Sequence, residues 1–547
     1  MPPRPPRRPP STDRSPALPQ EVSVDVPLDE LDDDEALRLR VARHLGVPET
    51  ELPALTLRRR AVDARGRRVR FHLTLALDAP PRTTPLGAPE PREVTDPSRV
   101  LIVGDGPAGL FCAYELARAG IGSTILERGK PVQPRRRDLA LLNREGHVDP
   151  DSNYCFGEGG AGTYSDGKLY TRAGKRGSVR DVLELLVAHG APEAILTEAR
   201  PHIGSNKLPK VLIAIRAHLE AVGVAFEFGA RVEGLLVRRR PGGGRCASGV
   251  RLAGGQERGA DAVVVATGHS ARDVYRLLDA ASVRLEPKAF ALGVRIEHPQ
   301  PIINALQYGA DAGHPKLPAA YYRLASQVDD RGVFSFCMCP GGFIVPAATE
   351  PGGQVVNGMS LSRRDSPYAN SGLVVSVEPS AWQAAGFDGP LGGVAFQQRV
   401  ERAAFEAGGR ALRAPATRAT DFVAGRGSSD APASSYRPGL CATDLTAVLD
   451  SAGVAISAPL RAALADFGRR MPGFVSDEAV LVGVESRTSA PVRVPRRPDT
   501  LEAVDLARLY PAGEGAGYAG GIVSAALDGM RTARALAEHL GAPAPRP

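Results

Sequence analysis

Three glycines, Gly104, Gly106 and Gly109, have the spacing that binds the pyrophosphate of a dinucleotide. The first glycine of this pattern permits a tight turn, the second lets the backbone approach the phosphates, and the third lets a helix pack on a strand. A helix that begins at such a turn presents free N–H groups and its positive dipole end to the phosphates. The pattern therefore predicts recognition of a phosphate-linked cofactor.

The residues around these glycines predict a β-α-β unit. Apolar runs at 101–103 and 124–126 predict two strands, and an apolar helical pattern between them begins with Pro107 and Ala108. Glu127 ends the second strand, at the position that bonds a ribose hydroxyl, and its charge would repel a 2′-phosphate. The sequence therefore favours FAD or NAD over NADP.

Two further glycine-rich segments predict close backbone contacts with an anionic ligand. Residues 157–163 read GEGGAGT, and this density of glycine lets several N–H groups point at one ligand. Residues 513–521 read GEGAGYAGG and open a predicted helix over 522–540, which is again an anion site. A short apolar strand at 261–265 is followed by Ala-Thr-Gly at 266–268 and completes the predicted nucleotide unit.

Length and hydropathy set limits on the class of protein. The 547 residues are too many for one ordinary core and predict two or three domains. No apolar run approaches the roughly 20 residues that a helix needs to cross a bilayer, so no membrane span is expected. The N-terminal segment lacks the apolar region of a secretory signal, and a cytoplasmic location is expected.

Charge and cysteine content argue against nucleic-acid and metal sites. The formal net charge is +7, and arginine triplets occur at 58–60, 135–137 and 238–240. Few aromatic residues accompany them, so they are interpreted as a solvated, arginine-rich surface, and nucleic acid is not an expected partner. The six cysteines include no CxxC pair, so neither a zinc ribbon nor a disulfide framework is expected.

Composition and periodicity divide the chain into parts. Within the nucleotide unit, we expect a helix over 208–222, a strand over 224–228 and a hairpin with strands at 232–239 and 249–252. The later part of the chain has short apolar strands and no second dinucleotide pattern, and the site is expected between the two domains. The predicted parts are a disordered arm at 1–20, a small N-terminal α/β module at 21–78, a linker at 79–98, a cofactor-binding domain at 99–290 plus 500–541, and a substrate domain at 291–499.

Several separate stretches make the chain resemble the bacterial FAD-dependent dehydrogenases, a largely uncharacterised family of the glutathione-reductase-like flavoprotein superfamily. The resemblance runs from about residue 100 to 540 and includes the small N-terminal module. The stretches that carry it are GDGPAGLFCAYELA (104–117), FGEGGAGTYSDGKLYT (156–171), RPHIGSNKLPKV (200–211), FALGVRIEHPQPIINALQYG (290–309), FSFCMCPGGFIVPAA (334–348), VVNGMSLSRRDSPYANSGLVV (355–375), VESRTSAPVRV (484–494) and LYPAGEGAGYAGGIVSAALDG (509–529).

The resemblance implies an α/β fold: a glutathione-reductase-like, Rossmann-type FAD-binding domain with an inserted mixed α+β substrate domain. FAD is the implied cofactor. The chain departs from the superfamily at Glu514, where Asp is usual, and from its relatives at Cys155, where Gln is expected. The residues predicted to bind the cofactor are Gly104, Gly106, Pro107, Ala108, Gly109, Glu127, Arg128, Gly160, Ala161, Gly162, Thr163, Lys168, Val232, Ala266, Thr267, Gly268, Gly513, Glu514, Gly520, Gly521 and Ile522.

Candidates for chemistry beyond cofactor binding have two interpretations each. Lys168 either neutralises a phosphate or the N1–C2 region of reduced flavin, or is a surface lysine. Arg487 either approaches the flavin or an acidic substrate, or forms a structural pair with a glutamate. Arg295 and Glu297 alternate with apolar residues, which favours the solvated face of a strand.

Cys337 and Cys339 are the only close pair of cysteines, and we expect their side chains to point to opposite faces of an extended segment. This argues against a joint metal site, and small buried hydrophobic residues are favoured over a redox pair. The sequence identifies no catalytic residue, because the flavin itself carries the redox chemistry.

These observations predict an FAD-dependent oxidoreductase that exchanges a hydride between the flavin and an unidentified organic substrate. A small-molecule substrate and a transiently bound NAD(P)H are the expected partners. Two alternatives remain: a flavoprotein that acts in RNA modification, and a non-catalytic flavin sensor or assembly protein.

Overall fold

The computed structural model describes residues 18–77, 90–171, 174, 177–240 and 243–541. Most of the predicted disordered arm and much of the predicted linker lie outside the described residues. The chain divides into two compact units, of which the first comprises the described residues 18–77 and 196–199 and the second comprises the remainder.

The first unit is a three-stranded antiparallel sheet with one helix. Its last strand has one buried and one exposed face, since Phe71, Leu73 and Leu75 are buried while Arg70 and His72 are exposed. The sheet order is β1-β3-β2. The elements are β1 (Glu21–Pro27), α1 (Asp34–Leu45), β2 (Leu55–Asp63) and β3 (Arg70–Leu77).

The second unit begins with alternating strands and helices, as the sequence predicts. Its elements up to residue 287 are β4 (Val100–Val103), α2 (Pro107–Arg118), β5 (Ser123–Glu127), α3 (Val132–Glu145), α4 (Val179–Ala188), α5 (Leu208–Ala221), β6 (Ala225–Phe228), β7 (Val232–Arg239), β8 (Arg245–Leu252), β9 (Glu257–Gly259), β10 (Ala262–Val265), α6 (Arg272–Ala280) and β11 (Glu286–Pro287).

The rest of the second unit is richer in strands. Its elements are β12 (Phe290–Pro299), α7 (Gln300–Tyr308), β13 (Ala325–Val328), β14 (Arg331–Cys339), β15 (Gly342–Pro346), β16 (Val356–Ser360), β17 (Tyr368–Val377), α8 (Pro379–Ala384), α9 (Gly392–Ala407), β18 (Ala414–Arg418), α10 (Ala419–Val423), β19 (Leu440–Ala442), α11 (Leu445–Leu449), α12 (Ser457–Arg470), β20 (Val480–Glu485), β21 (Val492–Arg493), β22 (Leu509–Pro511) and α13 (Ile522–His539).

A five-stranded parallel sheet positions the predicted phosphate turn. Its order is β22-β10-β4-β5-β6, and every pair of neighbours is parallel. The central strand β4 is buried throughout, which explains its continuous apolar sequence. Strand β22 enters from a distant part of the chain and pairs Leu509 with Val263. The carboxyl ends of the parallel strands therefore bring the glycine segments of both chain regions to one edge.

The predicted hairpin is confirmed as β7 and β8, and it gains a third strand, β9, which the sequence did not indicate. Its buried side packs into one core with β4, β5 and β10.

No helix among the described residues is both long enough and apolar enough to cross a membrane.

A seven-stranded sheet forms the centre of the strand-rich part, in the order β13-β14-β17-β12-β20-β18-β19. Helix α12 packs on β13, β14 and β17, and α9 packs on β18 and β20. The hairpin β15–β16 also contacts this sheet, with β16 packed against β12, β14, β17 and β20.

The prediction that Arg295 and Glu297 lie on a solvated face of their strand is wrong. The two residues are 0% and 1% exposed, because β12 is the middle strand of the sheet and is covered on both sides. Each charge has partners: Arg295 pairs with Glu485, and Glu297 accepts hydrogen bonds from Ser434 and Ser435. Buried charges occur in proteins when they are paired in this way.

Candidate functional site

Helix α2 begins directly after the predicted phosphate turn. Gly104 has a φ of 103°, and a Cβ atom there would lie 2.7 Å from the carbonyl oxygen of Ala266. A Cβ atom on Gly109 would lie 2.0 Å from the carbonyl oxygen of Gly104, so only glycine permits this packing. A Cβ atom on Gly106 would meet no atom of the described residues within 4 Å. The helix N-terminus therefore faces open space, which suits a phosphate.

A second helix N-terminus lies beside the first. Helix α13 begins at Ile522, and Cβ atoms on Gly520 and Gly521 would likewise meet nothing in the described part of the chain within 4 Å. Gly162 lies between the two helix starts, because a Cβ atom there would be 3.4 Å from Ile522 Cγ1 and 3.6 Å from Pro107 Cγ. Two positive dipole ends thus border the same space.

Close contacts with Ala108 hold α13 against α2. A Cβ atom on Gly529 would lie 2.0 Å from the Ala108 carbonyl oxygen, and one on Gly513 would lie 2.6 Å from the Ala108 Cβ. The Gly513 N–H donates to the buried Asp528 carboxylate at 2.8 Å, and Arg496 pairs with that carboxylate at 2.5 Å. The start of the 513–521 segment is therefore fixed to the phosphate turn.

The glycine loop at 157–163 lies against the start of α2. Residues Gly160 to Gly162 form a 3-10 turn, and a Cβ atom on Gly160 would be 3.1 Å from the Gly106 Cα. Ala161 is exposed at the surface of this loop. The buried Thr163 hydroxyl donates to the Glu158 carbonyl at 2.6 Å and closes the loop. The loop and the turn together form two walls of one backbone-lined groove.

Arg135 anchors the glycine loop through hydrogen bonds to backbone carbonyl oxygens. Its guanidinium donates to the carbonyl oxygens of Asn153 at 2.9 Å, Tyr154 at 3.1 Å, Glu158 at 2.8 Å and Gly160 at 2.9 Å. The side chain is fully buried, and burial lowers the pKa of its guanidinium from the ordinary value. Arg135 therefore replaces solvent as the hydrogen-bond partner of four backbone carbonyls.

The prediction of a solvated arginine surface is thus wrong at Arg135, although Arg136 and Arg137 are exposed. Arg135 lies on the apolar face of α3, whose buried residues are Val132, Arg135, Leu139 and Leu142. This i, i+3, i+7, i+10 spacing was the available signal in the sequence.

The Glu127 carboxylate accepts hydrogen bonds from backbone N–H groups in three turns of the site. Its Oε2 accepts from the Asp105 N–H at 3.0 Å, and its Oε1 accepts from the N–H groups of Gly129 and Gly157 at 2.8 and 2.9 Å. Because a carboxylate offers about four acceptor positions, capacity for one ribose hydroxyl remains. Asp105 is buried beside it, and burial together with the charges of Glu127 and Glu158 raises the pKa of its carboxyl well above the ordinary value.

The Asp105 Oδ1 atom is buried without a hydrogen-bond partner among the described residues. Buried polar atoms in folded proteins are rarely left unpaired, so this oxygen indicates a group that binds there. The glycine pattern leaves this position unspecified, so the sequence assigns no role to Asp105.

Arg128 and Val232, both predicted to contact the cofactor, line one cavity of about 490 Å³. The Arg128 guanidinium carbon lies 4.5 Å from the centroid of the Phe156 ring, and Asp151 pairs with this arginine at 2.9 Å. Arg128 follows Glu127 directly in the chain. The cavity therefore lies next to the predicted ribose position, where the nucleotide base is expected. Its lining includes Arg128, Phe156, Arg231, Val232, Ser270 and Thr349.

The segments 266–268 and 513–515 meet at the other side of the turn. A Cβ atom on Gly515 would lie 2.6 Å from the Gly268 carbonyl oxygen. The Glu514 Oε1 atom is 3.4 Å from His269 Nδ1, while His269 Nε2 is 3.0 Å from the Arg487 carbonyl oxygen. The structure therefore brings together two segments that were both predicted to bind the cofactor.

Arg487 is engaged in a buried ion cluster. It pairs with Glu401 at 3.0 Å and donates to the Thr349 hydroxyl at 2.6 Å, and Arg272 pairs with the same glutamate at 2.6 Å. The two guanidinium groups hold the pKa of Glu401 well below its ordinary value, in spite of burial. Of the two interpretations of Arg487, the structure supports the structural pair.

Lys168 contacts neither helix start directly but lies between an acid and two thiols. Its Nζ atom is 3.1 Å from Asp166, 3.5 Å from the Cys337 Sγ and 3.4 Å from the Cys339 Sγ. Its predicted contact with phosphate or flavin stays a prediction. Within the described ranges, no group of three His, Cys, Asp or Glu side chains is placed to hold a metal ion.

The prediction that the two cysteines point to opposite faces is wrong, because residues two positions apart in an extended strand lie on the same face. Cys337 has a φ of 46°, and the pairing of β14 with β17 shifts register between Phe336 and Cys339. Both sulfur atoms reach the same ammonium group, that of Lys168, in spite of this irregularity.

The arrangement fits FAD. Two helix starts and two glycine segments surround an open groove, with an acid at the ribose position and a separate cavity beyond it. This succession matches the pyrophosphate, ribose and base of a dinucleotide.

Family models match three parts of this chain. An FAD-binding domain matches residues 97–144, and the C-terminal domain-like part of FAD-dependent proteins matches residues 289–488. A domain of unknown function matches residues 18–78.

The chain is also similar to individual proteins. An uncharacterized protein of Clostridium beijerinckii is 38% identical over 535 residues, which cover 94% of this chain and 98% of that protein. Among solved structures, CtdE in complex with FAD is 11% identical, with 81% of this chain and 85% of that chain covered and a TM-score of 0.32. An Amadoriase I mutant from Aspergillus fumigatus is 15% identical, with 82% and 88% covered and a TM-score of 0.33.

The identity and coverage of the Clostridium relative, together with the two FAD-related domain matches, place this chain in a family. The protein belongs to a largely uncharacterised family of FAD-dependent proteins, and its cofactor is FAD.

Proposed function

We propose that the protein is an FAD-dependent oxidoreductase that exchanges a hydride between the flavin and a small organic substrate. The observation that carries this proposal is the meeting of two helix N-termini at Gly162, which is the contact expected on either side of a bound pyrophosphate. A protein that builds such a site can place a flavin ring at a defined position for redox chemistry.

Named residues would hold each part of the cofactor. Gly106, Gly162 and Ile522 border the space for the pyrophosphate, and Glu127 retains one acceptor position for the adenosine ribose. The cavity lined by Arg128 is the space for the adenine.

The glycine segments at 157–163 and 513–521 would hold the pyrophosphate and ribitol of the cofactor. When bound, FAD accepts or donates two electrons and a proton at its ring. The residues of the chain bind it, orient it and exclude water.

The proposal includes a glutathione-reductase-like arrangement, with the substrate bound by residues 291–499. Two observations support it. Strand β22 and helix α13 return to the parallel sheet after residue 500, and the family model for the C-terminal domain-like part covers 289–488.

Anaerobic titration of the purified flavoprotein with NADH and, separately, NADPH tests the proposal. We expect flavin bleaching by one of these donors, followed by reoxidation when a substrate from a panel of quinones, enones and imines is added. A flavin that is reduced by photochemistry, yet is neither reduced by any donor nor reoxidised by any acceptor of the panel, would overturn the oxidoreductase assignment and leave FAD binding intact.

A further inference from the structure

Cys337 and Cys339 form a thiol pair at the end of strand β14. The two sulfur atoms lie 3.5 and 3.4 Å from the Nζ atom of Lys168. Cys337 is partly exposed, whereas Cys339 is completely buried. Of the two residues, Cys337 is therefore the more accessible to a small reagent.

The backbone holds the pair in this arrangement. Arg295 donates to the Cys337 carbonyl oxygen at 2.9 Å, and the Cys339 thiol lies 3.3 Å from the same oxygen. A Cβ atom on Gly342 would lie 2.9 Å from the Cys339 Cβ, so the following turn closes tightly over the second cysteine. These contacts keep both side chains on one side of the strand.

Cationic side chains from other parts of the chain lie close to the two thiols. Lys168 touches both sulfur atoms, and the Arg295 guanidinium lies 4.0 Å from the Cys339 Sγ. Arg364 is connected to Lys168 through the shared carboxylate of Asp166, with which Arg364 pairs at 2.6 Å. A cationic, partly exposed setting of this kind is where reactive cysteines occur in proteins.

The charges of the described groups around the pair do not cancel. The cations outnumber the carboxylates by one when Glu485 is ionised and by two when it is protonated, so a thiolate lowers the net positive charge of the cluster in either state. The groups are the cations Lys168, Arg295 and Arg364 and the carboxylates Asp166 and Glu485.

The directions of the two thiol pKa values agree with this count. A hydrogen bond from Cys339 and the charges of Lys168 and Arg295 hold the pKa of Cys337 well below the ordinary value, against burial and the charge of Asp166. The same hydrogen bond and burial raise the pKa of Cys339 well above the ordinary value. Both directions favour ionisation of Cys337 over ionisation of Cys339.

We propose that Cys337 and Cys339 are a redox-active dithiol, which closes to an intramolecular disulfide by exchange with a small-molecule disulfide. The Cys337 thiolate attacks one sulfur of the external disulfide, forms a mixed disulfide and releases the first external sulfur as a thiolate. The Cys339 sulfur then attacks the Cys337 sulfur of the mixed disulfide. The second external sulfur leaves and takes the proton of Cys339.

The exchange is balanced without any further reactant. The two cysteine sulfurs lose two electrons, and the external disulfide gains two electrons and becomes one thiol and one thiolate. The flavin takes no part, so this activity does not depend on the proposed function.

The first test measures the disulfide itself. The purified holoprotein is incubated with oxidised glutathione, quenched in acid, unfolded and alkylated. Trypsin leaves both cysteines in the single peptide 332–363, because Lys and Arg are absent between its ends until Arg363. We expect this peptide to lose both alkylatable thiols and two hydrogen atoms in mass, and to recover them after dithiothreitol.

Three variants assign the order of the steps. Cys339→Ser is expected to stop at a glutathione adduct on Cys337, and Cys337→Ser to leave Cys339 unmodified. Cys441→Ser, a control at another partly exposed cysteine, is expected to form the 337–339 disulfide as the wild type does. Both thiols remaining alkylatable in wild-type protein after oxidised glutathione would overturn the proposal.

The second test measures the activation of Cys337 by Lys168. The rate of iodoacetamide alkylation at Cys337 is followed against pH in the folded holoprotein, with Cys441 as the internal reference. We expect a midpoint at Cys337 below that of an ordinary thiol, ~8.5, in the wild type and in Lys168→Arg. We expect an upward shift in Lys168→Met, and visible flavin absorbance reports whether that variant keeps its cofactor. A wild-type midpoint equal to that of Cys441 would contradict the activated thiolate.

Discussion

Arg295 on β12 and Glu485 on β20 form a buried bidentate contact at the centre of the seven-stranded sheet. The Nη1 atom of Arg295 donates to both carboxylate oxygens, at 3.0 and 2.9 Å, and the side chains are 0% and 3% exposed. Burial raises the pKa of Glu485 to about 7 even beside the guanidinium. Each charge therefore depends on the other for its stabilisation, since neither charge can reach bulk water.

Arg295→Met is expected to destabilise the protein by about 3–5 kcal/mol at neutral pH, because it leaves the Glu485 charge buried and unpaired. In the variant the pKa of Glu485 rises further above its unfolded value. A raised carboxyl pKa gives stability that is present at low pH and is lost as the pH rises through the folded pKa. The deficit relative to wild type should thus shrink as the pH falls from about 8 to about 5.

Thermal unfolding of both proteins across this pH range measures the effect. Arg402→Met is the matched control, because Arg402 pairs with Glu406 on an exposed helix face. It should change the free energy of unfolding by less than about 1 kcal/mol. A deficit of Arg295→Met that grows on acidification would disprove the argument.

Gly106→Trp is expected to remove FAD while leaving the fold intact. The position has a φ of −74° and open space beyond its Cβ atom among the described residues, so the side chain fits but fills the space for the phosphates. Flavin absorbance per mole of purified protein and the melting temperature without added FAD provide the two readouts.

Gly109→Trp should lose both FAD and stability, because its Cβ atom would collide with the Gly104 carbonyl oxygen. Gly66→Trp, in a turn of the first unit with room for a side chain, is the control that should keep its FAD. Full flavin content in Gly106→Trp would refute the placement of the pyrophosphate.

Arg135→Met is expected to weaken FAD binding and stability together. The change leaves four backbone carbonyl oxygens, two of them in the glycine loop, without their buried donor, at a loss of at least about 2 kcal/mol. FAD titration of the apoprotein gives the affinity, and chemical denaturation gives the stability. Arg137→Met on the exposed face of the same helix is the control. Equal behaviour of the two variants would show that the loop does not depend on Arg135.

Glu401→Gln is expected to destabilise the protein above the ordinary carboxyl pKa and to matter less in acid. Arg272 and Arg487 lower the pKa of Glu401 in the folded state, so its ionised form stabilises the fold above the unfolded pKa of about 4.5. That contribution is lost as the pH falls through the lowered folded value.

The difference in melting temperature between wild type and Glu401→Gln should therefore be largest near neutral pH and decrease below about 4.5. Glu406→Gln, which changes an exposed glutamate of the same helix, should show no such pH dependence. A difference that stays constant into acid would indicate that the charge of Glu401 contributes nothing.

Local spacing in the sequence was sufficient to predict the phosphate turn. The strand, the glycine turn, helix α2 and Glu127 are close in sequence, and their geometry is determined by short-range backbone sterics and hydrogen bonds. The same reasoning predicted the strands of the first unit and the helix that begins at Ile522, because periodicity reports which face of an element is buried. The cofactor could therefore be named from the sequence and its resemblance to a family.

The tertiary structure alone decided which side chains the site shares. The sequence did not distinguish Arg135 from the other two arginines of its triplet. Only the fold shows that it contacts the glycine loop. Lys168 meets Cys337 and Cys339 across about 170 positions of the chain, at a point where a left-handed residue and a register shift interrupt the alternation of the strand. Periodicity in the sequence reports burial along one element, whereas a charge cluster depends on contacts between distant elements that only the folded chain brings together.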